Sequence, residues 1–196
     1  MKSIVRSGLL ISILGIAMVG GPVSAEPPKK RLNPVIDLLE RGEPVIGLYA
    51  PGSNPSGSTV TLPAMQRPPL ERAKEAIAYR SGDFVFDGSL EHDFDREFPA
   101  LASLMEAFRE AGALSPSPYR HLTHPVIAKA SKIESDSAAE VRISRILDLG
   151  VSGIMFVEVE SAEELSRGLA AMRFRSRGGT RLDSVGTAPA FWGMSE

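Results

Sequence analysis

The chain has 196 residues, of which 43% are hydrophobic and 23% charged, a composition typical of a globular protein with one domain. The net charge of −2 argues against a nucleic-acid-binding protein, since basic residues are concentrated only in the short run at 29–31. The chain contains no cysteine, which excludes disulfide bonds, so the domain must be stabilised by packing alone.

The first segment of the chain has the pattern of a secretory signal peptide. Lys2 and Arg6 give it a positively charged start, and the apolar segment at 9–19 is short for a membrane span. The sequence Val-Ser-Ala at 23–25 supplies small residues for cleavage. We therefore expect a signal peptide at 1–25, a periplasmic or secreted mature protein, and no membrane segment after cleavage. An uncleaved N-terminal anchor is the alternative.

A flexible tail is predicted at 26–32, and the folded domain at 33–196. The domain begins with a helix, because Asn33 and Pro34 fit the N-cap and the first helical residue. Gly42 fits the end of this helix.

Strands and helices then alternate along the chain. A short apolar strand is predicted at 44–50, followed by a loop rich in Pro, Gly and Ser at 51–57. The next helix is expected to begin near Pro68, and a strand follows at 84–87.

The second half of the chain continues this alternation. Pro99 is expected to open a helix that ends at Gly112, and further strands are predicted at 126–130 and 153–159. The last two helices are introduced by capping-box patterns, Ser137 with Glu140 and Ser161 with Glu164.

This order is a βα unit repeated about four times, which predicts an α/β fold with a parallel sheet covered by helices. A complete (β/α)8 barrel needs eight such units and roughly 250 residues. The pattern by itself leaves a barrel segment and an open four-stranded sheet as alternatives.

The segment from Asp83 to His92 is the most informative one for function. An apolar strand ends there at Asp87, and Glu91 and His92 follow. Active sites of α/β enzymes lie at the carboxyl ends of parallel strands, and a histidine near a carboxylate can transfer protons near neutral pH. His92 is therefore a candidate base, and Glu91 either orients it or is simply exposed.

Several segments together point to a known family: Asn33-Pro34 through Gly47-Leu48-Tyr49, Asp83 to Asp87 with Glu91-His92, Pro125-Val126-Ile127, Ile146 to Val151, and the pair Gly179 and Arg181. In their order and spacing they resemble the HpcH/HpaI aldolase and citrate lyase family. The resemblance extends from residue 33 to about residue 193.

The resemblance implies a (β/α)8 barrel of the TIM type, of which about the first four βα units are present. It implies a class II aldolase that cleaves a 4-hydroxy-2-oxo acid into pyruvate, or a related 2-oxo acid, and an aldehyde. A divalent cation, Mg²⁺ or Mn²⁺, is the expected cofactor, with its ligands on later strands beyond Glu196 and no matched position in this chain. We also expect a homo-oligomer.

Carried over by position, His92 and Asp87 would form the pair that takes the proton of the substrate hydroxyl. Lys129 stands where the family has a substrate arginine, and it supplies charge without the two-pronged hydrogen bonding of arginine. Arg181 and Gly179 are expected near the substrate, in a loop that binds an anion.

Two other classes of function stay open. One is a truncated, non-catalytic α/β protein of the cell envelope that acts through protein contacts, since half a barrel leaves an uncovered apolar face. The other is a periplasmic solute-binding domain, which is less favoured because such proteins need two lobes.

Overall fold

The computed structural model describes residues 31–53, 67–116, 122–133 and 138–192. The elements in chain order are α1 (Pro34–Glu40), β1 (Gly47–Tyr49), α2 (Pro69–Ala78), β2 (Phe84–Asp87), α3 (Phe94–Glu110), β3 (Val126–Lys129), α4 (Ala138–Asp148), β4 (Gly153–Met155), α5 (Ala162–Ala171) and α6 (Pro189–Trp192). Two short 3-10 helices, Ser89–Glu91 and Arg175–Arg177, follow β2 and α5. None of the helices in these ranges is long and apolar enough to cross a membrane. The signal peptide predicted at 1–25 and the predicted cap Ser137 lie outside the described residues.

The four strands form one parallel sheet in the order β1-β2-β3-β4. Val85 of β2 pairs with Leu48 on one side and with Val126 on the other, and Ala128 of β3 pairs with Ile154 of β4. One long helix joins each strand to the next, because a parallel neighbour requires the chain to return along the sheet. The predicted α/β alternation and parallel sheet are confirmed, while closure into a barrel stays a prediction.

The two faces of the sheet differ in exposure, because successive side chains of a strand point in opposite directions. Val85, Val126 and Ala128 are fully buried among helix residues, and we call their side the helix face. Phe86 and Ile127 point to the other side and are only partly buried. We call this side the open face; it carries the side chains of Tyr49, Phe84, Phe86, Ile127, Lys129 and Met155.

The hydrophobic core lies between the helix face and the helices that cover it. Its largest fully buried side chains are Phe108, Leu90, Leu101, Leu104, Met105, Leu122, Ile143 and Ile146. Helix α2 contributes Ala73 and Ala76, whose small side chains allow a close approach to α3 and the sheet. Burying each large side chain stabilises the fold by about 1.5–3 kcal/mol. This packing holds the four strands in position.

Helix α3 corrects the prediction that Pro99 opens a helix. The helix begins at Phe94, and the Asp93 side chain caps it by accepting a hydrogen bond from the Arg96 backbone N–H. Pro99 therefore lies inside the helix, where it has no N–H to donate to the Asp95 carbonyl. Acidic residues in the first turn favour the earlier start, because they stabilise the positive end of the helix dipole.

Other helix ends lie where the sequence predicts them. The Asn33 side chain accepts a hydrogen bond from the Val35 N–H at 3.0 Å, as expected for an N-cap. After α1 the chain turns at Gly42, whose φ of 68° is in the left-handed region that favours glycine. The Ser161 hydroxyl accepts from the Glu164 N–H at 3.1 Å, which confirms the second capping serine.

Strand β4 is shorter than the strand predicted at 153–159. It ends at Met155, and Glu158 adopts a φ of 50° that breaks the extended conformation. A residue with a side chain rarely adopts this left-handed backbone, and such strain is concentrated near functional sites.

Candidate functional site

The carboxyl ends of the strands lie at one side of the sheet, which we call the C-terminal edge. Ser53 follows β1 there, Asp87 ends β2, and Lys129 ends β3. Ligands of parallel α/β sheets bind at this edge. Three of the predicted site residues, Asp87, His92 and Lys129, lie here.

Asp87 is a buried anchor of the C-terminal edge. Its side chain is on the helix face, and the residue is only 2% exposed. Ser89 donates to Oδ1 from its backbone N–H at 2.9 Å and from its hydroxyl at 2.6 Å, and the Ser53 hydroxyl donates to Oδ2. These hydrogen bonds satisfy the buried carboxylate and tie the loop after β1 to the end of β2.

Arg72 is a residue of this edge that sequence reasoning missed. It lies on α2, is 7% exposed, and donates from Nε to the Pro51 carbonyl oxygen at 2.6 Å. Burial lowers the pKa of its guanidinium, while the negative charge of Asp87 acts in the opposite direction. Arg72 therefore helps to balance the buried charge of Asp87. Its burial depends on the loop after β1, so no local pattern distinguishes it from a surface arginine.

Glu91, His92 and Lys129 form a charged group that we call the Glu91 cluster. Lys129 Nζ lies 2.5 Å from Glu91 Oε2, and His92 Nε2 lies 3.6 Å from the same oxygen. The Glu91 and Lys129 side chains are 11% and 23% exposed, whereas His92 is 55% exposed. One shielded carboxylate thus orients an ammonium and faces an imidazole that is open to solvent.

Asp87 and His92, the predicted proton-transfer pair, have different partners in the structure. The hydrogen bonds of Asp87 go to serines, whereas His92 contacts Glu91. The 3-10 helix between them packs against β3, and its Leu90 carbonyl accepts a hydrogen bond from Ser131 at 2.8 Å. Of Asp87 and Glu91, the geometry favours Glu91 as the partner of His92. Participation of His92 and Asp87 in proton transfer stays a prediction.

Arg181 lies at the opposite end of the sheet from the Glu91 cluster. It lines a largely apolar cavity of about 360 Å³ together with Pro125, Val151 and Ser152, which precede β3 and β4. The structure therefore does not bring Arg181 together with His92 and Lys129.

At its own end of the sheet, Arg181 is a buried cation with structural partners. The residue is 3% exposed, and its Nη2 donates to the Asp148 carboxylate. The guanidinium lies 4.6 Å from the ring centre of Phe174 and 5.4 Å from that of Trp192. Gly179 donates from its N–H to the Phe174 carbonyl at 3.0 Å, and a side chain there would lie 1.9 Å from a backbone oxygen. A substrate role of Arg181 and Gly179 stays a prediction.

A polar cleft of about 410 Å³ opens beside the Glu91 cluster. It is lined by Glu91, His92, Asp93, Phe94, Asp95, Ser131, Lys132, Arg142, Val157 and Glu158. Lys132 Nζ lies 2.9 Å from Glu160 Oε2, and this contact raises the pKa of Lys132 and lowers that of Glu160. The volume is in the range of small-molecule sites, and both signs of charge make the cleft suitable for a small polar molecule.

The described side chains do not fit a divalent cation. In the parts of the chain that the structure describes, no three His, Cys, Asp or Glu residues are grouped so that they could hold a metal ion. Asp87 and Glu91 are already engaged, since Asp87 accepts from two serines and Glu91 contacts Lys129 and His92.

Comparison with known proteins assigns no family to the chain. No protein-family model matches it, and no curated protein is significantly similar to it. A functional proposal therefore rests on the geometry of the C-terminal edge and on the order of the sequence motifs.

Proposed function

We propose that the chain is part of a 2-oxo-acid aldolase, a carbon–carbon lyase that cleaves a 4-hydroxy-2-oxo acid into pyruvate, or a related 2-oxo acid, and an aldehyde. The observation that carries the proposal is the Glu91 cluster, in which one carboxylate joins an ammonium and an imidazole at the C-terminal edge. Retro-aldol cleavage needs a base for the hydroxyl and positive charge for an anionic substrate. The cluster contains both groups.

In the proposed reaction, neutral His92 takes the proton of the 4-hydroxyl group. The bond between C3 and C4 then breaks, the aldehyde leaves, and the electron pair of that bond forms the enolate of the 2-oxo acid. The imidazolium returns its proton to C3, which regenerates the base and gives the neutral ketone. Glu91 favours the first step because its negative charge stabilises the imidazolium that forms.

Lys129 is the group that we assign to the oxygens of the 2-oxo acid. Its side chain belongs to the open face and ends in the Glu91 cluster, where the ion pair orients the ammonium. An ammonium carries three donors, so one can bind Glu91 while others bind substrate. Arg181 and Gly179 are the other predicted substrate contacts, and their position at the far end of the sheet favours Lys129 over them.

We also propose that the four strands belong to a (β/α)8 barrel. The sequential parallel order β1-β2-β3-β4, with a helix after each strand, supports this architecture. In a barrel the helices lie outside, so the open face would become part of the inner wall and Lys129 would point to the interior.

Release of pyruvate tests the proposal directly. The purified protein is incubated with 4-hydroxy-2-oxopentanoate, with and without added Mn²⁺ or Mg²⁺, and pyruvate is followed by coupled reduction to lactate. We expect His92→Gln to lower kcat by about 10²–10⁴-fold, the usual contribution of a general base. His124→Gln is the matched control, because His124 is a partly buried histidine outside the Glu91 cluster, and its ring lies 3.3 Å from the Tyr79 carbonyl oxygen. Equal rates for His92→Gln and the wild type, or no release by the wild type under any condition, would contradict the proposal.

A non-catalytic envelope protein that acts through protein contacts is the second candidate. Its supporting observation is the open face, where Tyr49 and Met155 are 43% and 45% exposed. Among the described strands, β1 and β4 each pair with one neighbour, and such edges favour association. Light scattering tests the proposed homo-oligomer. An associated protein that releases no pyruvate would favour this candidate over the aldolase.

Export is proposed from the signal-peptide pattern at 1–25. N-terminal sequencing of the protein recovered from the periplasm or medium tests it. The expected first residue is Glu26, whereas an intact N-terminus on cell-bound protein would favour the uncleaved anchor.

A further inference from the structure

Tyr49 is the last residue of β1 and belongs to the open face at the C-terminal edge. Its ring meets that of Phe86 edge to face, with 5.6 Å between the ring centres and 71° between the planes. This contact across neighbouring strands holds the phenol ring in place. The residue is nevertheless 43% exposed, so its hydroxyl end is accessible.

The phenol oxygen of Tyr49 lies over Gly88, directly after β2. The Gly88 backbone N–H donates a hydrogen bond to this oxygen. A side-chain carbon at position 88 would lie 2.6 Å from it, so glycine is needed for Tyr49 to lie there. A phenol oxygen that accepts one hydrogen bond can still donate another through its own hydrogen.

The phenol remains a donor at neutral pH. Burial and the negative charges of Asp87 and Glu91 raise the pKa of Tyr49, and the hydrogen bond from Gly88 opposes this shift. Tyr49 therefore keeps the proton that it would donate.

The register of the sheet brings Lys129 to the other side of Gly88. Asp87 pairs with Ala128, so the next residues of the two strands, Gly88 and Lys129, are neighbours at the strand ends. Neighbouring strands are about 4.8 Å apart, so the backbones of these two residues lie side by side. The phenol oxygen over Gly88 and the Lys129 side chain thus lie at adjacent strand ends on the open face.

We propose that Tyr49 and Lys129 together bind one anionic oxygen of a small 2-oxo acid, with Tyr49 as a substrate-contacting hydrogen-bond donor. The identity of the oxygen rests on the proposed aldolase function: it is the C2 oxygen, which becomes an enolate when the C3–C4 bond breaks. A neutral phenol in place before the reaction stabilises the charge that develops on this oxygen.

Oxalate is the probe for this site, because it is a stable planar dianion with the shape of the pyruvate enolate. Its binding is measured by calorimetry on the wild type, Tyr49→Phe, Lys129→Met and the control Tyr79→Phe, a tyrosine that is 48% exposed. Loss of one hydrogen bond to a charged ligand weakens binding by about tenfold to a hundredfold. We expect that loss for Tyr49→Phe and Lys129→Met, and unchanged binding for Tyr79→Phe.

A second measurement needs no variant. Phenolate absorbance of the wild type is titrated with and without saturating oxalate, and bound anion should move the Tyr49 transition to higher pH. If Tyr49→Phe binds oxalate as the wild type does, if the wild type does not bind oxalate, or if the titration is unaffected, the inference is overturned. If oxalate binding depends on Tyr49 and Lys129 but no pyruvate is released, the aldolase proposal fails and the Tyr49 site stands.

Discussion

Replacement of Arg181 by methionine separates a structural from a substrate-binding role for this residue. The sequence motifs place Arg181 near the substrate, whereas in the structure it is buried against Asp148, Phe174 and Trp192. Methionine keeps much of the volume of the side chain but removes the charge and the planar hydrogen-bonding group. The substitution therefore tests the electrostatic contacts more than the packing.

The expected loss of stability follows from these contacts. Removing one partner of a buried ion pair costs about 3–5 kcal/mol, since the other charge is left unpaired. The Asp148 side chain is 27% exposed, so water can solvate it in part, and the loss from the ion pair falls below that range, to about 2 kcal/mol. Lost contacts with two aromatic rings add to this, and we expect about 3 kcal/mol in all. For a protein of this size, that lowers the melting temperature by about 6–12 °C.

Calorimetry and the pyruvate assay together decide between the roles. Arg177→Met is the control, since Arg177 is an exposed arginine of the same loop and should change the melting temperature very little. We expect Arg181→Met to have a lower melting temperature than the wild type. At temperatures below its unfolding transition, it should keep the KM of the wild type. A variant with unchanged melting temperature and a raised KM would refute the structural reading.

Three further predictions concern Asp87, Tyr49 and Pro99. Asp87→Asn should lower the free energy of unfolding, measured in urea, by about 1–3 kcal/mol, because an amide nitrogen replaces an oxygen that accepts from serine. An unchanged urea midpoint would mean that these hydrogen bonds do not stabilise the C-terminal edge. In a spectrophotometric titration of the three tyrosines, the transition lost in Tyr49→Phe should lie above the usual pKa of 10.0. Because the folded state holds this proton more tightly, its contribution to stability is present below the usual pKa and is lost as pH rises through the raised one; a Tyr49 transition at or below 10.0 would contradict the assigned environment. Pro99→Ala should raise the free energy of unfolding by about 1–2 kcal/mol, measured by thermal unfolding. Pro99 is exposed within α3, and alanine restores the N–H that can donate to the Asp95 carbonyl. A lower melting temperature would indicate that the proline has a packing role there.

Local patterns were sufficient for the order of the elements and for several of their ends. Asn33, Gly42 and Ser161 act through hydrogen bonds or backbone angles within a few residues, so the sequence around each determines its role. The same patterns led to the wrong start for α3, because Pro99 fits a first helical residue equally well. Asp93 and the acidic turn after it determine the actual start.

The candidate site was predictable only in part. The position of Lys129 at the C-terminal edge follows from its place at the end of an apolar strand. The partner of His92 does not, since it depends on how the 3-10 helix after β2 packs against β3.

What the sequence determined about this protein is the alternation of strands and helices, because periodicity and capping act over short distances. The tertiary structure decided which groups meet. Ser53 reaches Asp87 across 34 residues, and Asp148 pairs with Arg181 across 33. Tyr49, Gly88 and Lys129 lie together because β1, β2 and β3 align in one register. Such contacts depend on strand pairing and burial, which no short stretch of sequence specifies.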